Sequence, residues 1–270
     1  MSKRNSQAAK TAARERLRVE RERAAKRAKV RRQVVVAASA VAVLAAAGGI
    51  GYAVVQANKP GHWEEAKTAT LVKPANSSGK NGTTVVVGKS TAKKTLEMYE
   101  DPRCPICSQF EQAVGPTVKS DLDAGKFKIQ YIGATFLDNT MSGEGSKNAL
   151  SALGAALNVS PEAFFEYKTA MYSAKWHPEE TNDKFKSDDY LIKVADTVPA
   201  LKGNAGFQKA VKDGTYDRWA LEMSKVFDKS GVSGTPTLKM DGKTLTGSDG
   251  KNAPMTVADF NTALAAALKG

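Results

Sequence analysis

The chain has 270 residues, 41% of them hydrophobic and 25% charged, with 40 Lys and Arg against 28 Asp and Glu. This composition excludes a disordered or collagen-like chain, and two cysteines are too few for a disulfide-stapled mini-fold or a four-thiolate metal site. A formal charge of +12 invites a nucleic-acid reading, which the distribution of that charge then removes.

Residues 1–33 hold thirteen Lys and Arg and only three acids, so nearly all of the excess lies there. They include no aromatic residue to stack on bases. They read as a basic cytoplasmic tail that sets topology and touches anionic lipid, with no nucleic acid among the partners. Val34–Val55 is then 22 residues without a charge. At about 1.5 Å per residue, a helix of that length covers about 33 Å and spans a hydrocarbon core of about 30 Å. A single transmembrane helix is therefore expected over 34–56, acting as a signal anchor. The basic flank puts the N-terminus in the cytoplasm and the rest of the chain outside. The rival is a cleaved secretory signal, whose apolar core usually runs about 7–15 residues after a short basic start. Residues 57–82, rich in Pro, Gly, Ser, Asn and Lys, read as a linker.

The folded part then runs over 83–270. TTVVVG (83–88) and KKTLEMYE (93–100) are predicted strands. CPICSQFEQAVGPTVKSDL, from Cys104, is a predicted helix with Phe110, Val114 and Val118 on one face and a kink at Gly115-Pro116. KFKIQYIGATF (126–136) alternates as a strand does, and a mostly helical block follows over about 144–230. PTLKMDGKTLTG (236–247) is a predicted hairpin turning at Asp241-Gly242, and residues 256–270 form a closing amphipathic helix. The order implies an α/β fold, with helices around one sheet and a helical insertion in its middle.

The two cysteines, Cys104 and Cys107, are three apart at the predicted helix start. Positions i and i+3 of a helix lie about 5–6 Å apart, within disulfide reach. Unpaired N–H groups and the positive end of the helix dipole favour an anion at Cys104, and the thiolate is the nucleophile. Cys107, one turn in, is placed to resolve a mixed disulfide. Pro105 suits an early helical position. Zinc would need two more ligands, whereas the histidines are His62, in the linker, and His177, in the insertion. Covalent haem would need a histidine where Ser108 stands. No metal and no organic cofactor is expected.

YEDPRCPICSQFE (99–111) and, later, GVSGTPTLKMDGK (231–243) together resemble the DsbA-like thiol–disulfide oxidoreductases of the thioredoxin superfamily. The resemblance covers about 83–270 and implies a thioredoxin fold, with the segment of about 139–216 as the family's helical domain. It implies that Pro236 is the cis-proline and Thr235 the residue before it, beside the cysteine pair. Pro105, Ile106, Thr235 and Pro236 are then the substrate-binding residues, and Cys104 and Cys107 the catalytic ones. Expected partners are exported proteins with thiols or disulfides and a membrane redox partner that resets the pair. Two positions depart from the family pattern. Pro105-Ile106 lacks the histidine of strongly oxidising relatives, and Met98 stands where many relatives bury a carboxylate, with Glu97 and Glu100 off register. Disulfide formation, reduction and a non-catalytic interaction module stay open at this point. Arg103 is either a helper of the thiolate or a solvated side chain. Phe164, Phe165, Tyr167, Met171 and Tyr172 read as core packing in preference to a peptide groove, and Trp219 and Phe227 as packing their helix on the sheet.

Overall fold

The computed structural model describes residues 2–57 and 61–269, with side chains given for only part of the first stretch. The chain divides into two compact units, 1–61 and 62–270. The first is one helix, α1 (Ser2–Ala57), which runs from the basic tail through the uncharged segment. Most side chains of the segment predicted to span a membrane, 34–56, lie outside the described residues. Among the described residues no helix is long and apolar enough to cross a membrane.

The second unit is built on a sheet of β1 (Val85–Val87), β2 (Thr95–Glu100), β3 (Lys128–Gly133), β4 (Thr237–Met240) and β5 (Lys243–Leu245), in the order β1-β3-β2-β4-β5. Only β2 and β3 pair in parallel, from Thr95 opposite Lys128 to Glu100 opposite Gly133. A parallel pair needs a crossover. Here it is α3 (Pro105–Ala113) followed by α4 (Gly115–Ala124). The expected kink is a break between two helices at Val114, with Pro116 in the first turn of the second. Phe110, Val114, Val118 and Leu122 still form one buried stripe along both. Asp241 and Gly242 both take positive φ, 51° and 77°, the geometry of a two-residue type I′ hairpin turn. The helix α11 (Val257–Lys269) closes the chain.

Between β3 and β4 come α5 (Leu137–Thr140), α6 (Gly145–Val159), α7 (Pro161–Tyr172), α8 (Asp188–Ala195), α9 (Ala205–Lys212) and α10 (Asp217–Lys229). Their starts follow capping chemistry. Ser160, Ser187 and Asn204 accept hydrogen bonds from the N–H groups of Ala163, Tyr190 and Phe207. The aromatic patch of α7 is buried, with Phe164, Tyr167 and Tyr172 at most 1% exposed, and Trp219 and Phe227 are buried on α10. Gly154 of α6 makes room for that tryptophan, since a Cβ there would stand 2.8 Å from Trp219 Cε3.

One expectation is corrected. Residues 58–60 lie outside the described residues, but 62–82 is part of the folded unit and not a linker. A short helix, α2 (His62–Ala66), buries Trp63 and Ala66, and His62 Nε2 lies 2.7 Å from Asp217 Oδ2. Further on, Asn76 Nδ2 donates to the Leu157 carbonyl and Ala75 N–H to Asn158 Oδ1. Trp219 Nε1 donates to the Gly82 carbonyl at 2.7 Å. The polar composition that reads as solvated chain is used instead to satisfy the end of α6 and the indole of α10.

Candidate functional site

The chain leaves β2 through Asp101-Pro102-Arg103 and enters α3 with Cys104 as its N-cap and Pro105 as its first residue. Cys104 is 6% exposed and Cys107 fully buried, and both are unpaired thiols. The Cys107 N–H donates to Cys104 Sγ at 3.3 Å, as a capping acceptor requires. Across the site, Cys104 Sγ lies 3.4 Å from the Thr235 carbonyl oxygen, and the Thr235–Pro236 bond is cis. Two segments 131 residues apart thus meet at one sulfur. Ile106 is the exposed member of the motif. With Thr235 and Pro236 it borders a groove of about 540 Å³.

The two thiols are made unequal. Hydrogen bonding from Cys107, with further help from Thr235 and the backbone N–H groups of Cys107 and Ile106, pulls the Cys104 thiol down to about 6 against the opposing effect of burial. Cys107 is pushed well above an ordinary thiol, first by burial and then by Cys104. Leu137 and Tyr172 pack on the pair, with Phe136 against them. The last turn of α7 is tied to α3, because the Tyr172 carbonyl accepts from Ser108 Oγ (2.8 Å) and Gln112 Nε2 (3.0 Å).

Beneath the cysteines lies a charge cluster that the sequence did not reveal. Lys168 Nζ is 3.1 Å from Glu100 Oε2 and 2.6 Å from Glu111 Oε1, and it also reaches Met98 Sδ at 3.5 Å. All three charged residues are at most 5% exposed. Glu100, off register by sequence, is therefore a buried carboxyl close to the thiols, and it contributes to raising Cys107. Burial, with Glu111 adding to it, drives Glu100 well above the carboxylate range, against the pull of Lys168. Burial alone would lower Lys168, but the two carboxyls raise it. The one available signal was a lysine amid the aromatic residues of FFEYKTAMY.

Arg103 fits neither expected role. It is 3% exposed, donates to Asp138 Oδ1 (3.0 Å) and the Glu180 carbonyl (3.2 Å), and forms an ion pair with Asp183 Oδ1 (3.4 Å). Asp138 also accepts the N–H groups of Ser146 and Lys147 at the start of α6. Asp101, pushed up to about 7 by burial, accepts from Arg103 N–H, Leu137 N–H and Ser146 Oγ. The arginine therefore braces the loop between β2 and α3 against the insertion. His177 stacks on Tyr172 with ring centroids 5.7 Å apart, and Trp63 of the former linker lies under Lys147 Nζ.

The geometry can be set beside known proteins. A family model described as Thioredoxin matches residues 80–266. Reduced DsbG from Mycobacterium tuberculosis superposes with a TM-score of 0.58 at 24% identity, over 70% of this chain and 89% of that one. Oxidised BdbD from Bacillus subtilis gives 0.58 at 18% identity, over 74% and 100%. Among curated proteins, the serine/threonine-protein kinase PknE of M. tuberculosis is 26% identical over 158 residues, 56% of this chain and 27% of the kinase. Disulfide bond formation protein D of B. subtilis is 22% identical over 161 residues, 59% of this chain and 68% of that protein. The chain thus spans about a quarter of the length of the kinase relative.

Proposed function

Because the chain belongs to the thioredoxin family, with 80–266 matched, we propose that it is a membrane-anchored thiol–disulfide oxidoreductase that forms or exchanges disulfides in exported proteins through Cys104-Pro105-Ile106-Cys107. The observation that carries this reading is the inequality of the two sulfurs. One is slightly exposed, faces the Thr235–Pro236 loop and has its thiol lowered to about 6, and the other is buried with its thiol raised.

In the oxidised enzyme a substrate thiolate attacks Cys104 Sγ. The Cys104–Cys107 bond breaks, and Cys107 leaves as a thiolate that takes up a proton. A second substrate thiolate attacks the substrate sulfur of the mixed disulfide, and Cys104 leaves as a thiolate. The substrate loses two electrons and the cysteine pair gains them. Attack falls on Cys104 because Cys107 is fully buried. The low thiol pKa of Cys104 makes it a good leaving group and favours the reduced pair, which suits a disulfide donor. The names of two similar proteins, disulfide bond oxidoreductase and disulfide bond formation protein, agree with this chemistry.

Location belongs to the same proposal. The 22 uncharged residues Val34–Val55 behind thirteen basic residues support a single-pass anchor over 34–56. The tail would be cytoplasmic and the cysteine pair outside the cytoplasm, where a disulfide persists and a membrane partner resets it. A reductase reading is favoured by one feature only, the apolar Pro105-Ile106 pair, which adds no positive charge beside the thiolate.

The test uses the full chain in detergent. Wild type should oxidise a dithiol peptide and Cys104→Ser should not. Retained activity in that variant overturns the assignment. A reduction potential toward about −120 mV supports disulfide donation, and one near about −270 mV the reductase. A membrane-impermeant maleimide should label Cys104 on intact cells after reduction.

A further inference from the structure

The groove that starts at Ile106, Thr235 and Pro236 is closed on its far side by the loop after β5 and the first turn of α11, including Asp249 and Asp259. Both carboxylates are held by neutral donors. Asp249 Oδ1 accepts the N–H groups of Lys251 (2.9 Å) and Asn252 (3.0 Å), and its Oδ2 accepts Asn252 Nδ2 (2.7 Å). Asp259 Oδ1 accepts Ser248 N–H (3.3 Å) and its Oδ2 accepts Thr256 Oγ1 (2.9 Å). Among the described residues neither takes part in an ion pair, although acids elsewhere on the surface do, such as Asp241 with Lys94 and Asp213 with Lys209. Lys251 shares the loop and does not line the groove. Backbone N–H bonds also hold the Asp249 carboxyl below its usual range, so it stays ionised.

Two fixed negative charges without counter-ions therefore stand along a groove that begins beside the reactive sulfur. The apolar footholds in it are few, chiefly Ile106, Pro236 and Met255. We infer that this groove selects polypeptide substrates carrying Lys or Arg within a few residues of the reacting cysteine, and that Asp249 and Asp259 are the residues that set the preference. The inference rests on the oxidoreductase reading, because it concerns what lies along the groove while Cys104 exchanges its bond. It adds no chemical step. The basic side chain enters as a counter-ion to carboxylates that local hydrogen bonds already hold in place.

The expected size follows from Coulomb attraction. One unit-charge pair at about 7 Å in water favours encounter by about threefold at low salt, and two such pairs by about tenfold, falling as salt shortens the screening length. The experiment uses the full oxidised chain in detergent and three single-cysteine peptides. They are identical except for Lys, Gln or Glu placed three residues from the cysteine. Mixed-disulfide formation is followed by stopped flow. The Lys peptide should react about tenfold faster than the Gln peptide, the Glu peptide slower still, and 0.5 M salt (a Debye length of about 4 Å) should collapse the series. Asp249→Asn and Asp259→Asn should each shrink the Lys-to-Glu ratio by about tenfold, because each carboxylate both attracts Lys and repels Glu. If the Gln peptide reacts normally but Lys and Glu peptides react alike at low salt, the inference is overturned and the oxidoreductase reading stands. If no peptide reacts, both fall. Should a variant fail to fold, the salt series on wild type decides alone.

Discussion

Titrating the reduced protein probes the inequality of the two thiols directly. Alkylation by iodoacetamide follows the thiolate, and Cys107 contributes little because it is buried with its thiol raised. With Cys104 at about 6, the sulfur is about half ionised at pH 6 and about nine-tenths ionised at pH 7, against about 3% at pH 7 for an ordinary thiol of about 8.5. Lowering the pH from 7 to 6 should slow alkylation less than twofold, where an ordinary thiol slows about tenfold. The same depression links to stability. The folded thiol ionises more readily than the unfolded one, so its contribution is fully present above the unfolded value of about 8.5 and is lost as pH falls through about 6. At pH 7 this amounts to about 1.4 kcal/mol in favour of the reduced fold, or about 30 mV toward oxidising power for a two-electron couple. Stability of the reduced protein should therefore climb between pH 5 and 8 relative to the oxidised one, and likewise relative to Cys104→Ser, which forms no internal disulfide and lacks the titrating thiol. A tenfold fall in alkylation for each unit between pH 8 and 6 would refute the reasoning.

Two further outcomes test features away from the sulfur. Lys168→Met leaves Glu100 and Glu111 facing each other without a cation and should cost about 3–5 kcal/mol in denaturant unfolding. Adding Glu100→Gln and Glu111→Gln to it should recover much of the loss, which a purely steric defect would not allow. Trp63→Ala removes a side chain that is 6% exposed and should expose 62–82 to protease; an unchanged digestion pattern would mean that this segment is a tether after all.

The order of strands and helices was legible because alternation in TLEMYE and KFKIQYIG, the Asp241-Gly242 turn and the stripe from Phe110 to Val118 are local signals. The meeting of Cys104 with the Thr235–Pro236 loop was legible only through resemblance, since nothing local says that segments 131 residues apart touch. What sequence reasoning missed was made of polar groups used against type. Arg103 is buried by Asp138 and Asp183, Glu100 by a lysine 68 positions away, and Asn76 is tied to the end of α6. Composition averages over such residues and assigns them to solvent, whereas their partners decide where they go. Trp63 in an otherwise polar stretch was the clue that the stretch docks.

Both borders of the sheet are three-residue strands, β1 and β5, and β5 opens with exposed Lys243 and Thr244. Three residues offer only a rung or two of backbone bonding to a stray chain, and a charged lysine on the rim discourages stacking further. On the proposed function, the molecule would meet unfinished polypeptides whose loose strands look for a template. Brief borders of this kind would let it exchange a sulfur bond with such a chain and let go, without being drawn into a shared ribbon.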